Sequence, residues 1–133
     1  MINKTRIKTD GAPPALGTYS QAIRTGNLIF VTAQTGRNPE TGNLEEGLEA
    51  QARRMFSNTE AILNAAGCTP ADIVRTTLMF TDIKYFKEVD AIYAAWIPSV
   101  GITPLPSRTA FAAAALPSGA LVMIDVIAAF PVV

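Results

Sequence analysis

The chain of 133 residues contains no histidine and one cysteine, Cys68. Without histidine there is no Ser-His-Asp triad and no imidazole zinc site. A lone cysteine closes no disulfide within the chain and builds no thiolate metal cluster. With no imidazole to activate it, Cys68 reads as a small buried hydrophobe rather than a nucleophile. Charge is sparse and balanced: 17% of residues are charged, 11 basic against 11 acidic, and no run of Lys or Arg exceeds two. A nucleic-acid surface needs a basic stripe to displace counterions, so nucleic acid is not an expected partner. A phosphate loop, a dinucleotide fingerprint, a paired-carboxylate motif and a cofactor lysine are all missing. The start, "MINKTRIKTDG", has no apolar stretch of the kind a signal peptide carries, so a cytoplasmic protein is expected.

What the chain has in excess is apolar surface. Hydrophobic residues reach 49% and the mean hydropathy is +0.25, high for a length that implies a single domain over residues 1–133. A domain this small has little interior, so part of that surface is expected to face a partner. The tail concentrates it: from Ser107 onward the only charges are Arg108 and Asp125. The stretch 109–130 is long enough to suggest a membrane span. "LPSG" at 116–119 cuts it into halves too short to cross a bilayer as a helix, so no membrane association is expected.

Period and punctuation give the elements. Thr5 to Lys8 reads as a short strand, and "APPALG" at 12–17 as a rigid loop. Tyr19 to Arg24 and Asn27 to Gln34 read as strands joined at "TGN", and "NPETGN" at 38–43 as a turn. Residues 46–66 carry apolar side chains at helical spacing, at Leu48, Ala52, Met55, Phe56, Ile62, Leu63 and Ala66, with Thr59 continuing the stripe and Gly67 as the stop. Residues 72–81 alternate and are β-branched, as in a strand. Asp82 caps a second helix with Phe86, Val89, Tyr93 and Trp96 inward, ended by Pro98. Arg108 to Ala115 and Ala120 to Phe130 complete the set as strands, with "LPSG" as a hairpin turn between them. The order is β-β-β-α-β-α-β-β, an α+β two-layer sandwich: one mixed sheet with two helices on one face. The sheet's other face stays apolar, and an oligomer is expected to bury it.

Few residues could carry chemistry. Arg108 is stiffened by Pro104 and Pro106, and its rigid fork of donors matches a carboxylate. An exposed strand-edge arginine, or one paired with a partner's acid, fits the same spacing. Tyr19 opens a strand after the Gly17-Thr18 turn, as core-edge tyrosines also do. Thr32 and Gln34 are expected on the face opposite Val31 and Ala33, where they either line a site or meet solvent. Asp90 fits a solvated helix face. Asp125 shares a face with Leu121, Met123 and Ile127, and sits where that face meets water or a partner.

Taken together, "GTYSQAIRTGNLIFVTAQTG" at 17–36, "NPETGNL" at 38–44, "QARRMFSNTEAILNAAG" at 51–67, "DIVRTTLMFTD" at 72–82, "FKEVDAIYAAW" at 86–96 and "PSRTAFAAAALPSGALVMIDVIA" at 106–128 resemble the YjgF/RidA family of reactive imine and enamine deaminases, in the correct order over nearly the whole chain. The resemblance implies a chorismate-mutase-like fold and a homotrimer whose sheets form a central barrel, with ligand sites in the clefts between subunits. It also implies hydrolysis of small 2-imino acids to 2-keto acids and ammonia, without cofactor or metal. The family's carboxylate-binding arginine falls on Arg108 and its first-strand tyrosine on Tyr19. The serine and glycine of its "SGQ" motif fall on Thr32 and Ala33, ahead of Gln34. The backbone carbonyl that helps hold the attacking water falls on Ala110.

Two positions depart from the pattern. A helix asparagine is Asp90 here, which adds a negative charge beside an expected anion site. The acid that orients water falls on Met123, whose thioether cannot take that role. Asp125 is about 7 Å further along the strand. The resemblance therefore implies a deaminase of ordinary, weakened or altered specificity, or a non-catalytic binder of small carboxylates.

Overall fold

Tyr93 and Thr76 mark how the layers meet. The Tyr93 hydroxyl lies 2.9 Å from Thr76 Oγ1, joining a helix to the middle of a sheet. The computed structural model describes residues 1–131. Its strands are β1 (Thr5–Ile7), β2 (Ala22–Thr25), β3 (Leu28–Thr35), β4 (Ile73–Phe80), β5 (Ser107–Ala112) and β6 (Val122–Ala129), and its helices α1 (Leu48–Ala65) and α2 (Phe86–Ser99). The six strands form one sheet in the order β1-β2-β3-β6-β4-β5. All neighbours are antiparallel except β4 and β5. The architecture is the expected α+β sandwich of one mixed sheet and two helices.

The hydrophobic pattern places the helices. Ala52, Met55, Phe56, Ile62 and Leu63 of α1 are buried, and α1 lies across β3 and β6 and against α2. Val122, Ile124, Val126 and Ala128 of β6 alternate inward beneath them. Stacked rings of Phe56 and Trp96, 4.4 Å between centroids, tie the helices together. Thr59 is fully buried within the stripe because its hydroxyl donates to the Met55 carbonyl at 2.8 Å. Gly67, at φ 84°, supplies the left-handed stop expected of it. Asp82 caps the short turn Ile83–Tyr85 that leads into α2, accepting from the Lys84 amide.

Five local expectations fail. The tract 108–130 is not a hairpin: β5 pairs with β4 in parallel, and β6 inserts between β3 and β4, antiparallel to both. Parallel neighbours require a crossover, which α2 supplies, so β5 is carried to the sheet edge. "LPSG" becomes a tight turn over Pro117–Gly119 on the return path across the end of β4, where Thr81 donates to the Leu121 carbonyl. The strand from Arg108 also stops at Ala112 rather than Ala115. Tyr19 does not open a strand, because the loop persists to β2 at Ala22. Pro98 lies within the last turn of α2, which continues to Ser99. Finally, a bulge between Val31 and Gln34 breaks the alternation of β3, since Val31 faces Val126 and Gln34 faces Ile124. Three residues on β3 thus oppose two on β6, which turns Gln34 to the same buried face as Val31.

The β3–α1 junction is closed by polar groups. A Cβ on Gly36 would lie 2.3 Å from Gln51 Cα, so only glycine allows this approach. Gln51 accepts from the Leu121 amide at 2.9 Å and donates to the Glu45 carbonyl at 3.1 Å. Asn58 donates to the Thr35 and Arg37 carbonyls. These two buried amides hold the chain ends that helix and sheet leave unpaired.

Candidate functional site

Arg108 stands on the edge strand β5, in register with Thr76 of β4. The crossover of α2 lays Phe86, Asp90 and Tyr93 beside it. These positions follow i, i+4, i+7 and therefore share one helix face. The guanidinium carbon is 5.3 Å from the Phe86 ring centre and 5.1 Å from that of Tyr93, within cation–π range. Its Nη1 donates to Asp90 Oδ1 at 2.6 Å. Asp90 is therefore not a free solvated acid but the partner of the candidate arginine. The pair sits at a cavity of about 700 Å³ whose other walls are apolar, formed by Ala94, Ile97, Pro98, Ile102, Leu105 and Pro106 together with Tyr93. On the other side of Arg108 a shallower hollow is lined by Ile83, Lys84, Phe86, Lys87 and Ala110. The Ala110 backbone, in register with Leu78, is thus close to the arginine.

The remaining candidates gather elsewhere. Tyr19, Thr32, Ala33, Gln34, Arg37 and Met123 line a second cavity of about 320 Å³, with Pro13, Pro14 and Pro117 among its walls. Tyr19 is 52% exposed, and its hydroxyl accepts from the Leu16 amide at 3.3 Å. The bulge turns Thr32 toward the 8–21 loop. Its hydroxyl donates to the Ser20 carbonyl at 2.6 Å and its amide to the Gln21 carbonyl at 2.9 Å. Gln34 donates to the Thr32 carbonyl at 3.1 Å and braces the bulge. Met123 is in register with Thr35 of β3 and Met79 of β4, on the face away from the helices. Asp125 shares that face, in register with Thr77, and lines neither cavity.

The candidates thus gather at two separate places on the chain. Arg108, Asp90 and Ala110 occupy the helix-side edge, while Tyr19, Thr32, Ala33 and Met123 occupy the other cavity. Sequence reasoning missed the aromatic support of Arg108 and the presence of Arg37. Phe86 and Tyr93 were read only as core positions, and the signal for their second role was their spacing with Asp90. Arg37 donates to Ser118 Oγ at 2.7 Å, a contact across 81 residues with no local signature.

Cys68 is buried and its thiol is pushed up to about 11, chiefly by loss of solvent and next by the charge of Asp72. It stays protonated at neutral pH and makes a poor nucleophile. Among the described residues, no group of three His, Cys, Asp or Glu side chains could hold a metal ion. No helix there is long and apolar enough to cross a membrane.

Known proteins resemble this chain in sequence and in fold. The model of the family described as Endoribonuclease L-PSP matches residues 9–130. A RutC family protein of Aquifex aeolicus is 41% identical over 122 residues, covering 92% of this chain and 96% of its own. The 2-iminobutanoate/2-iminopropanoate deaminase of Escherichia coli K12 is 38% identical over 127 residues, covering 96% and 98% respectively. The crystal structure of E. coli TdcF with bound serine superposes with a TM-score of 0.91 at 31% identity, covering 96% of this chain and 99% of that one. Sequence, length and fold agree: the chain belongs to the Endoribonuclease L-PSP family, the YjgF/RidA group.

Proposed function

We propose that this protein hydrolyses small 2-imino acids to 2-keto acids and ammonia. The observation that carries the reading is Arg108, a guanidinium held between aromatic rings at the mouth of a largely apolar cavity. A small aliphatic 2-imino acid has a carboxylate for the arginine and a short apolar tail for the cavity. Relatives named for this activity, at 38% identity over nearly the whole chain, support it.

The chemistry asks little of the protein. Water adds to the imine carbon, a proton moves to nitrogen, and the carbinolamine collapses to the keto acid and ammonia. Clamping the carboxylate fixes which carbon water meets, and positioning of this kind supplies much of the acceleration of a reaction that already proceeds in water. The backbone at Ala110, two residues along the strand from Arg108, would hold that water. Tyr19, Thr32 and Ala33 would complete the pocket from a neighbouring subunit. Read as two half-sites, the two places on one chain, together with exposed Phe30 and Phe111, favour a homotrimer with sites between subunits and the helix-free faces buried inside.

Met123 favours a second reading. A positioned general acid or base is worth about 10²–10⁴-fold, and methionine supplies none of it. The protein would then be a slow deaminase, a deaminase for a more apolar substrate, or a binder of small carboxylates without catalysis. The neutral net charge gives no support to a role on RNA.

The test is to generate 2-iminobutanoate in situ and follow its loss with and without the protein. Acceleration that Arg108→Ala removes is the expected result. No acceleration at high protein concentration overturns hydrolysis of this substrate. Binding of 2-oxobutanoate that depends on Arg108 would then establish the binder.

A further inference from the structure

Around Arg108 the structure shows one acid. Of the side chains lining the two hollows on either side of it, only Asp90 is negative, against Arg108, Lys84 and Lys87. Lys84 already has Asp82 at 3.6 Å. The Arg108–Asp90 contact is short, yet 30% of the arginine side chain and 40% of the aspartate side chain remain exposed. Both groups are therefore open to a ligand entering the cavity.

A guanidinium has five donors, and one suffices for Asp90. A ligand carboxylate can take others, but it then stands beside the Asp90 carboxylate, and like charges at this range oppose binding. A ligand that brings a cation next to its own carboxylate removes the conflict. Its anion meets Arg108 and its cation meets Asp90, as two groups one carbon–carbon bond apart would meet an ion pair of 2.6 Å.

We propose that Asp90 is the specificity-determining residue of this site: it selects ligands with a cationic nitrogen on the carbon next to the carboxylate, the protonated 2-imino acid or a 2-amino acid, over the 2-keto acid. The keto acid turns an oxygen lone pair toward Asp90 and is disfavoured, so product departs more readily than substrate. This rests on the reading of Arg108 as a carboxylate clamp. Asp90 recognises charge and takes no part in bond making.

Binding measured by calorimetry at neutral pH, on the full chain, separates the terms. The probes are 2-aminobutanoate, as both enantiomers, and 2-oxobutanoate. The expected wild-type preference is about tenfold for at least one enantiomer of the amino acid over the oxo acid, the scale of one partly exposed charge contact. Asp90→Asn should erase it, mainly by tightening the oxo acid, while Asp90→Glu should keep it. A wild type that prefers the oxo acid, or a ratio unchanged within twofold in Asp90→Asn, overturns the proposal and leaves the clamp standing. If neither acid binds, or Arg108→Ala binds both as well as the wild type does, proposal and clamp fall together. Thermal melts of each variant establish that the fold is intact.

Discussion

The wall around Arg108 and the wall around Met123 are built in opposite ways. At Arg108 the side chain that would meet a ligand is held by an ion pair and two rings, and the cavity beside it is wide. At Met123 the shape is held by backbone: a bulged strand, a proline-rich loop, and the hydroxyl and amide of Thr32 tying one to the other. A wall held by side-chain charges changes its ligand when one charge changes. A wall held by backbone tolerates new side chains. Met123 is held in register with Thr35 and Met79, so a different side chain at this position leaves the pairing undisturbed.

The backbone-built wall breaks at its footing. Gly36 follows β3 directly and presses against Gln51, where an added Cβ would meet main-chain atoms at 2.3 Å and 2.6 Å. Main chain within a helix cannot step aside as a side-chain end can. Gly36→Ala is expected to lose about 3 kcal/mol, near the upper end of overpacking costs, or roughly 10 °C in a thermal melt. A loss below 2 °C would show that the junction is loose.

The side-chain-built wall breaks at Arg108 itself. Arg108→Ala should weaken 2-oxobutanoate binding about 100-fold while leaving the melting temperature within about 2 °C, because the ion pair it breaks is partly exposed. Unchanged binding would move the carboxylate site elsewhere, with Arg37 in the second cavity as the next candidate. Placing an acid at position 123 sharpens the same contrast. Met123→Glu should raise the rate of 2-iminobutanoate loss about tenfold, short of the 10²–10⁴ of a fully positioned group. Initial rates at fixed protein concentration measure it. No gain would mean that the missing acid does not limit this protein.

The same division separates what was legible in the sequence from what was not. Helices announced themselves, because the stripe from Leu48 to Leu63 and that from Val89 to Trp96 are local periodicities. The strands were legible as segments but not as neighbours. "LPSG" looks like a hairpin turn from within, and only the α2 crossover, which forces β5 beside β4, reveals that β6 must insert elsewhere. The bulge at Thr32 and Ala33 was illegible for a related reason. Strict alternation is the natural reading of "VTAQT", and the extra residue shows only in pairing with β6. Arg108 stood out because it is one of two charges in an apolar tail. Its partner Asp90 is 18 residues away across the crossover, a distance at which spacing carries no information.

Tyr93 gives the finest test, because it serves both the core and the site. Its ring lies beside the Arg108 guanidinium, and its hydroxyl pairs with fully buried Thr76. Tyr93→Phe keeps the ring and removes the hydroxyl. Thr76 then loses its partner in the core, which should cost about 1 kcal/mol, or roughly 4 °C. The phenylalanine ring still supports the guanidinium, so affinity for 2-oxobutanoate should stay within twofold. The opposite outcome, intact stability with tenfold weaker binding, would place the hydroxyl on the ligand. The wall around Arg108 would then extend one residue deeper along α2, from the cation to a neutral donor that reads the far end of the same small molecule.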